Sequence, residues 1–486
     1  MLARHPIFFV CSGFRGEFAD ARDWSRNIED MPPGRSVMKR CAHALVLLVF
    51  LGRGLAAQQL PTAPPASVGI SSERLERMHR GMQAFVDRRE VAGIVTLVAR
   101  EGKIVDVHAV GFQDVESRKP MRADTIFRIA SMSKPITSVA VMMLYEEGKL
   151  LLTDPISKYI PSFRNQRVAT GTATEPARRD INIRDLLSHR SGLSYGFLDD
   201  GPVGNAYRAT GVSDGLTVTN GTIAENVDRL AAAPLVSQPG TEWHYSLSTD
   251  VLGRLVEVVS AMPFDAFLRE RIFTPLGMTD TSFDVPDAKW SRLATVYSPD
   301  RSSGIRPMKD PETFLNTVMS PIAYYKSPKR YFSGGAGLTS TIHDYARFAE
   351  TLLNGGTFGN VRLLSPKTVE LMTLSHTADV PPSPLLGGGG GFGLGFLVTT
   401  DLARSQTLGS VGMYGWSGIY GTNFWVDPKE HLIGIMMVQL FPGATVSSSF
   451  QMLVYQALTR SDYFPALRTS QPSAGGRQSV SGAASR

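Results

Sequence analysis

The stretch Thr125-Ile126-Phe127-Arg128-Ile129-Ala130-Ser131-Met132-Ser133-Lys134-Pro135-Ile136-Thr137-Ser138-Val139-Ala140-Val141-Met142-Met143-Leu144 organises the chain. Its first six residues read as a short strand, and the apolar run from Ser133 reads as a helix with Pro135 in its first turn, where proline is tolerated. Ser131 and Lys134 then stand one helical turn apart on the same face, so the lysine amine can reach the serine hydroxyl. An amine so placed can serve as the base that a serine nucleophile needs, and helix-start N–H groups favour an anion forming beside it.

The spacing alone is weak, because a chain of this length holds about one S-x-x-K by chance at ordinary residue usage. A second copy, Ser36-Val37-Met38-Lys39, shows as much. The bland alternative for Ser131 is a helix cap with a solvated lysine. The surroundings have to decide.

Composition narrows them. The 486 residues are 43% hydrophobic and 19% charged, with a net charge of +6, which describes a globular enzyme-sized protein with ample core. There is no basic block or basic-aromatic stripe, so nucleic-acid binding is unsupported. The nine histidines are scattered, with no H-E-x-x-H and no Cys/His cluster, so no metal and no cofactor is expected.

At the N-terminus, Met38-Lys39-Arg40 is a basic start, residues 42–52 an apolar run, and Gly54-Leu55-Ala56-Ala57 a small-residue cleavage site. Those three parts make residues 38–57 a signal peptide, too short for a stable span, and residues 1–37 a start-site error. The mature chain is then exported, to the periplasm, with no membrane span. Both cysteines, Cys11 and Cys41, precede the cleavage site, so no disulfide is expected.

Further along, residues 58–67 read as a linker. Ser72 is a candidate cap for a helix whose apolar stripe is Leu75, Met78, Met82, Phe85 and Val86. Residues 93–100 and 103–110 form a hairpin about Glu101-Gly102. Short and long helices are expected at 183–193 and 248–260, another at 342–353, a glycine-rich loop at 387–391, strands at 421–426 and 432–438, and a last helix at 447–458. Strands at both ends with helices between predict an α+β fold: 68–150 and 330–465 form one discontinuous α/β domain, 151–329 a mostly helical domain, and 466–486 a disordered tail. The site is expected at their seam.

Three elements would complete Ser131 as an acyl-transfer site. Tyr245 lies just before an apolar helix, and a phenol and an amine that titrate near ~10 and ~10.4 exchange a proton at little cost. Tyr195 is the reserve candidate. An oxyanion hole needs the N–H of Ser131 and a second from an edge strand, near Ile419. Trp416 offers an aromatic wall, although a plain core role for it stays open. His189 and His244 are read as turn residues. Gly211-Val212-Ser213-Asp214-Gly215 fits G-x-S-x-G but lacks the apolar strand and the helix that a nucleophile elbow requires.

In order and approximate spacing, Ser131-x-x-Lys134, Tyr245, Trp416-Ser417-Gly418, Leu186-Leu187-Ser188-His189-Arg190-Ser191-Gly192-Leu193, Gly334-Gly335-Ala336-Gly337-Leu338 and Trp425-Val426-Asp427-Pro428 resemble the serine β-lactamase and penicillin-recognising superfamily. The resemblance is nearest to its class C-like branch, the family VIII carboxylesterases. It implies a β-lactamase/transpeptidase-like fold, an antiparallel sheet flanked by helices plus an inserted helical domain. Its implied roles are Ser131 as nucleophile, Lys134 and Tyr245 as base and acid, Ser131 and Ile419 N–H groups as oxyanion hole, and Trp416, Ser417, Gly418 and Leu247 at the substrate. Two positions depart from the family's β-lactam-active members: Leu247 replaces an asparagine, and Trp416 a lysine or histidine. Both swap a polar handle for an apolar surface, which favours short-to-medium acyl esters, small-molecule substrates, over anionic β-lactams. Weak β-lactam hydrolysis remains compatible. A class C-type β-lactamase or D-amino-acid peptidase is the first alternative, and a non-catalytic penicillin-binding-like module the second.

Overall fold

The computed structural model describes residues 59–326, 329–443 and 446–461. The expected signal peptide, the start-site segment and the C-terminal tail lie outside the described residues.

The hairpin expected about Glu101-Gly102 starts the sheet. Strands β1 (Gly93–Arg100) and β2 (Lys103–Asp114) pair antiparallel, and both turn residues have positive φ, 53° and 72°. That backbone matches the twist of the strands it joins. β3 (Lys119–Pro120) extends this edge. A two-residue strand β4 (Phe127–Arg128) pairs with β5 (Thr339–Ser340) away from the main sheet. The C-terminal part of the chain adds β6 (Gly390–Phe392), β7 (Leu397–Thr399), β8 (Tyr414–Ser417), β9 (Asn423–Asp427) and β10 (Leu432–Met437). The eight-stranded order is β6-β7-β8-β9-β10-β1-β2-β3, antiparallel throughout. The expected glycine-rich loop thus becomes, in part, an edge strand, because Gly391 and Phe392 pair with Val398 and Leu397.

Every residue of β1 is buried, and alternation assigns the side chains to two cores. Ile94 and Val98 join Leu75, Met78 and Met82 of helix α1 (Ser72–Asp87) in one apolar cluster, while Val95, Leu97 and Ala99 join the larger cluster on the other face. Each such side chain larger than alanine stabilises the fold by roughly 1.5–3 kcal/mol. The cap of α1 is Ser71, whose side chain accepts from Arg74 N, one residue before the expected Ser72. The expected linker is part of the body: Leu60 is buried, and the N–H of Ala63 donates to Ile104 O at 3.0 Å.

Helix α2 (Ser133–Glu146) is buried on every side from Ser133 to Leu144. A helix apolar all round belongs in a core rather than at a surface. It packs against α4 (Ser248–Ser260), which also meets the short α3 (Ile183–Leu187), capped by Asn182 and Asp185 in a capping box. Helix α5 (Ile342–Leu353) packs against β1, β9 and β10, and α6 (Val446–Tyr455) against α1. The middle of the chain, expected to be mostly helical, also holds hairpins at 167–176, 297–307 and 312–319.

Candidate active site

Ser131 lies in a single 3₁₀ turn, Ala130–Met132, between β4 and α2 rather than in the first turn of the helix itself. That turn is strained and is held from both sides. Ala130 has φ of +40°, a left-handed conformation unfavourable for a residue with a Cβ by about 1–3 kcal/mol. Before it, the buried Arg128 is clamped: its N–H donates to Gln439 Oε1 at 3.1 Å, and Gln439 Nε2 donates back to Arg128 O at 3.0 Å. After it, Tyr345 OH donates to Met132 O at 2.9 Å, and Leu338 N–H donates to Ser133 Oγ at 3.1 Å.

Lys134 is 1% exposed. Its Nζ lies 3.1 Å from Ser131 Oγ, 2.9 Å from Tyr195 OH and 2.9 Å from Gly335 O. The carbonyl can only accept, so one N–H points there. The two hydroxyls can each accept or donate, so they can take up the remaining capacity of the amine group. All three contacts are then used.

The tyrosine on the lysine is Tyr195, not Tyr245. The loop carrying Tyr195 runs beside the strand-like segment ahead of α4, with His244 N–H donating to His189 O at 2.9 Å and Leu247 N–H to Ser194 O at 3.2 Å. This brings the two phenol rings to 5.3 Å. Tyr245 offers its face instead, with Lys134 Nζ 4.5 Å from the ring centroid, and its hydroxyl accepts from Trp416 Nε1 at 3.3 Å. Burial first, then Tyr245, Asp250 and Asp214, push the Tyr195 phenol well above its ordinary pKa, so it stays protonated.

Gly335 shows how tightly these groups converge. A Cβ there would stand 2.8 Å from Asp250 Oδ2, 3.0 Å from Tyr195 OH and 3.4 Å from Lys134 Nζ. Asp250 is fully buried on α4, and its Oδ1 accepts from Tyr331 OH at 3.0 Å. Burial raises its pKa from 3.8 to about 6, against the pull of Ser333 and Lys134. It had no role in the sequence reading.

The wall opposite is the Trp416-Ser417-Gly418-Ile419 turn at the end of β8. Gly418 is required here: a Cβ would meet Ile129 O and Thr422 Oγ1, each at 2.4 Å. The turn therefore abuts the backbone just before Ser131. Gly418 N–H is taken by Thr422 O at 2.8 Å, whereas no carbonyl among the described residues accepts the N–H of Ile419. A cleft of about 280 Å³ runs between these parts, lined by Ser131, Tyr195, Tyr245, Trp416, Ser417, Gly418 and Ile419 together with Phe197, Asp214, Leu216 and Trp243. Leu247 is absent from it. That side chain is 0% exposed in the main core, at the cap position of α4, so it cannot touch a substrate.

His189 is buried, its Nδ1 3.1 Å from Ser246 Oγ, and burial holds its pKa well below the ordinary value. His244 pairs with Glu242. Ser213 receives the N–H of Gly215 at 3.2 Å and follows the helix at Pro202–Thr210, with no strand before it. Among the described residues no group of His, Cys, Asp and Glu is placed to hold a metal ion, and no helix is long and apolar enough to cross a membrane.

Comparison with known proteins bears on this geometry. The family model described as Beta-lactamase matches residues 78–452. An uncharacterized protein of Mycobacterium tuberculosis is 38% identical over 411 residues, 82% of this chain and 96% of its own length. Esterase EstB of Burkholderia gladioli is 35% identical over 378 residues, 76% of this chain and 91% of its own length. Among solved structures, EstCE1, described as a hydrolase with promiscuous acyltransferase activity, superposes with a TM-score of 0.70 at 31% identity, covering 80% of this chain and 98% of its own.

Proposed function

The chain belongs to the beta-lactamase family, and on that premise we propose that it is a serine carboxylesterase acting on short-to-medium acyl esters through an acyl-enzyme on Ser131. The observation that carries this reading is the contact set of Lys134: a buried amine 3.1 Å from Ser131 Oγ, with its remaining partners fixed by Tyr195 and Gly335. The esterase relatives support the substrate class.

Ser131 Oγ attacks the ester carbonyl carbon, and its proton passes to Lys134 Nζ. The N–H groups of Ser131 and Ile419 receive the oxyanion. Donors held in place for charge that develops in the transition state are typically worth about 10²–10³ in rate each. Collapse breaks the ester C–O bond, and the leaving alkoxide takes a proton from the Lys134–Tyr195 pair. Water then attacks the acyl carbon, giving its proton to the same pair, and release of the acid restores Ser131.

The cleft favours neutral acyl groups over β-lactams. A β-lactam antibiotic carries a carboxylate. Here it would meet the indole of Trp416 and the like charge of Asp214 rather than a cation. Weak β-lactam hydrolysis remains part of the proposal because the acylation chemistry is shared. Comparing p-nitrophenyl butyrate with nitrocefin on wild type and Ser131→Ala tests both levels. Faster nitrocefin turnover would reverse the substrate ranking, and unchanged ester turnover in Ser131→Ala would remove the mechanism. Export through residues 38–57 belongs to the same proposal; N-terminal sequencing of the secreted protein should begin near Ala57.

A further inference from the structure

Ester cleavage leaves one group in the cleft unused. Asp214 lies in the Gly211–Gly215 segment, is 7% exposed, and lines the same cleft as Ser131. Its Oδ1 accepts the N–H of Gly196 at 2.8 Å, which tethers the carboxylate beside the rings of Tyr195 and Phe197, themselves 4.9 Å apart. Burial pushes its pKa up from 3.8 to about 6, opposed by Gly196, the Thr317 hydroxyl and the field of Arg208. At neutral pH it is therefore mostly ionised.

Among the described residues no cation is in ion-pair contact with that charge, and Arg208 acts on it only through its field. Arg208 donates instead to the carbonyls of Gly196 (2.7 Å) and Asp199 (3.1 Å) and to Asn205 Oδ1 (2.7 Å). No salt bridge among the described residues involves Asp214. A carboxylate offers about four acceptor sites; the N–H of Gly196 takes one of them, and the carboxylate is among the groups that line the cleft. A desolvated, unpaired carboxylate is unfavourable unless a cation meets it. Apart from Ser131, Ser417 and Gly418, the rest of the lining is aromatic or aliphatic, and aromatic faces add attraction for an ammonium group.

We propose that the cleft recognises esters that carry an ammonium group, with Asp214 as counter-charge and the faces of Tyr195, Phe197 and Trp416 as the surrounding contact. The proposal rests on the ester reading above and names the substrate class within it. A purely structural Asp214, holding the 195–197 loop through Gly196, would leave charge preference untouched.

The test uses two matched substrate pairs. One is acetylthiocholine and its carbon isostere, with a quaternary carbon in place of the nitrogen. The other is the p-nitrophenyl ester of γ-trimethylammoniobutyrate and its carbon isostere. Asp214→Asn keeps the amide oxygen that takes the Gly196 N–H and removes only the charge. In at least one pair the wild type should favour the cation in kcat/KM by about tenfold or more, the discrimination expected of one charged contact. Asp214→Asn should bring that ratio to within about twofold. Absence of charge preference in both pairs, or a preference that survives Asp214→Asn, overturns the proposal. Should the variant fail to fold, wild-type hydrolysis of a neutral ester decides: choline should inhibit about tenfold better than its carbon isostere, and equal inhibition overturns the proposal. Ser131→Ala, run on all four esters, reports on the ester reading separately.

Discussion

Replacing Tyr195 by phenylalanine separates the two tyrosines at the lysine. The change removes the 2.9 Å contact to Lys134 Nζ and leaves the ring and its 2% exposure unchanged in shape. Two effects follow. A buried amine loses one of three partners, which costs about 1–3 kcal/mol of stability for an unsatisfied polar group. In the proposed mechanism the proton taken from Ser131 passes by way of Lys134 and Tyr195, and a positioned acid–base group is worth roughly 10²–10⁴ in rate. Tyr245→Phe removes much less: the ring face stays 4.5 Å from Nζ, and only the 3.3 Å contact from Trp416 Nε1 is lost, about 0.5–1.5 kcal/mol. The assay is kcat on p-nitrophenyl butyrate with urea unfolding of each variant as the control for folding. Tyr195→Phe should lose at least about 10²-fold while Tyr245→Phe stays within about tenfold. The reverse order would show that the Tyr245 hydroxyl is the proton partner, and that the observed Lys134–Tyr195 contact is not the working one.

Gly335→Ala puts a methyl group 2.8–3.4 Å from Asp250 Oδ2, Tyr195 OH and Lys134 Nζ; kcat should fall by about 10²-fold, as for a misplacement of about 1 Å, with the protein still folded in circular dichroism. Leu247→Asn should not create β-lactamase activity, because the position is buried core; it should cost about 2–4 kcal/mol in urea unfolding for the lost packing and unsatisfied amide. Asp250 gives a pH test. Its folded pKa of about 6 lies above the unfolded 3.8, so its contribution is full below about pH 4 and is lost as pH rises through about 6, amounting to about 3 kcal/mol. The stability of Asp250→Asn relative to wild type should therefore improve by up to that amount between about pH 4 and pH 8; a flat difference would contradict the assignment.

Much of the frame was legible in the sequence because its signals are local. The Glu101-Gly102 turn, the apolar stripe of α1 and the bounds of α4 and α5 follow from turn chemistry and periodicity. The contact between Ser131 and Lys134 was legible for the same reason, the two being three residues apart. What was not legible depends on contacts far apart in sequence. The choice between Tyr195 and Tyr245 turns on how two loops cross, and motif context pointed to Tyr245 while the hydrogen bond goes to Tyr195. Leu247 was expected at the substrate, yet its position as cap of α4 turns it into the core. Asp214 sat inside a motif set aside as a false elbow, and nothing near it in sequence shows that it lines the same cleft as Ser131. The strand before Ser131 proved to be two residues long, held by Gln439 from the other end of the chain.

The central claim is a covalent acyl group on Ser131. Acid-quenched samples taken during turnover of p-nitrophenyl butyrate, measured by intact mass and then by peptide mapping, test it most directly. The wild type should gain the mass of one butyryl group on the peptide containing Ser131, and Ser131→Ala should gain none. A butyryl group on any other residue, or an equal adduct in Ser131→Ala, would contradict the account.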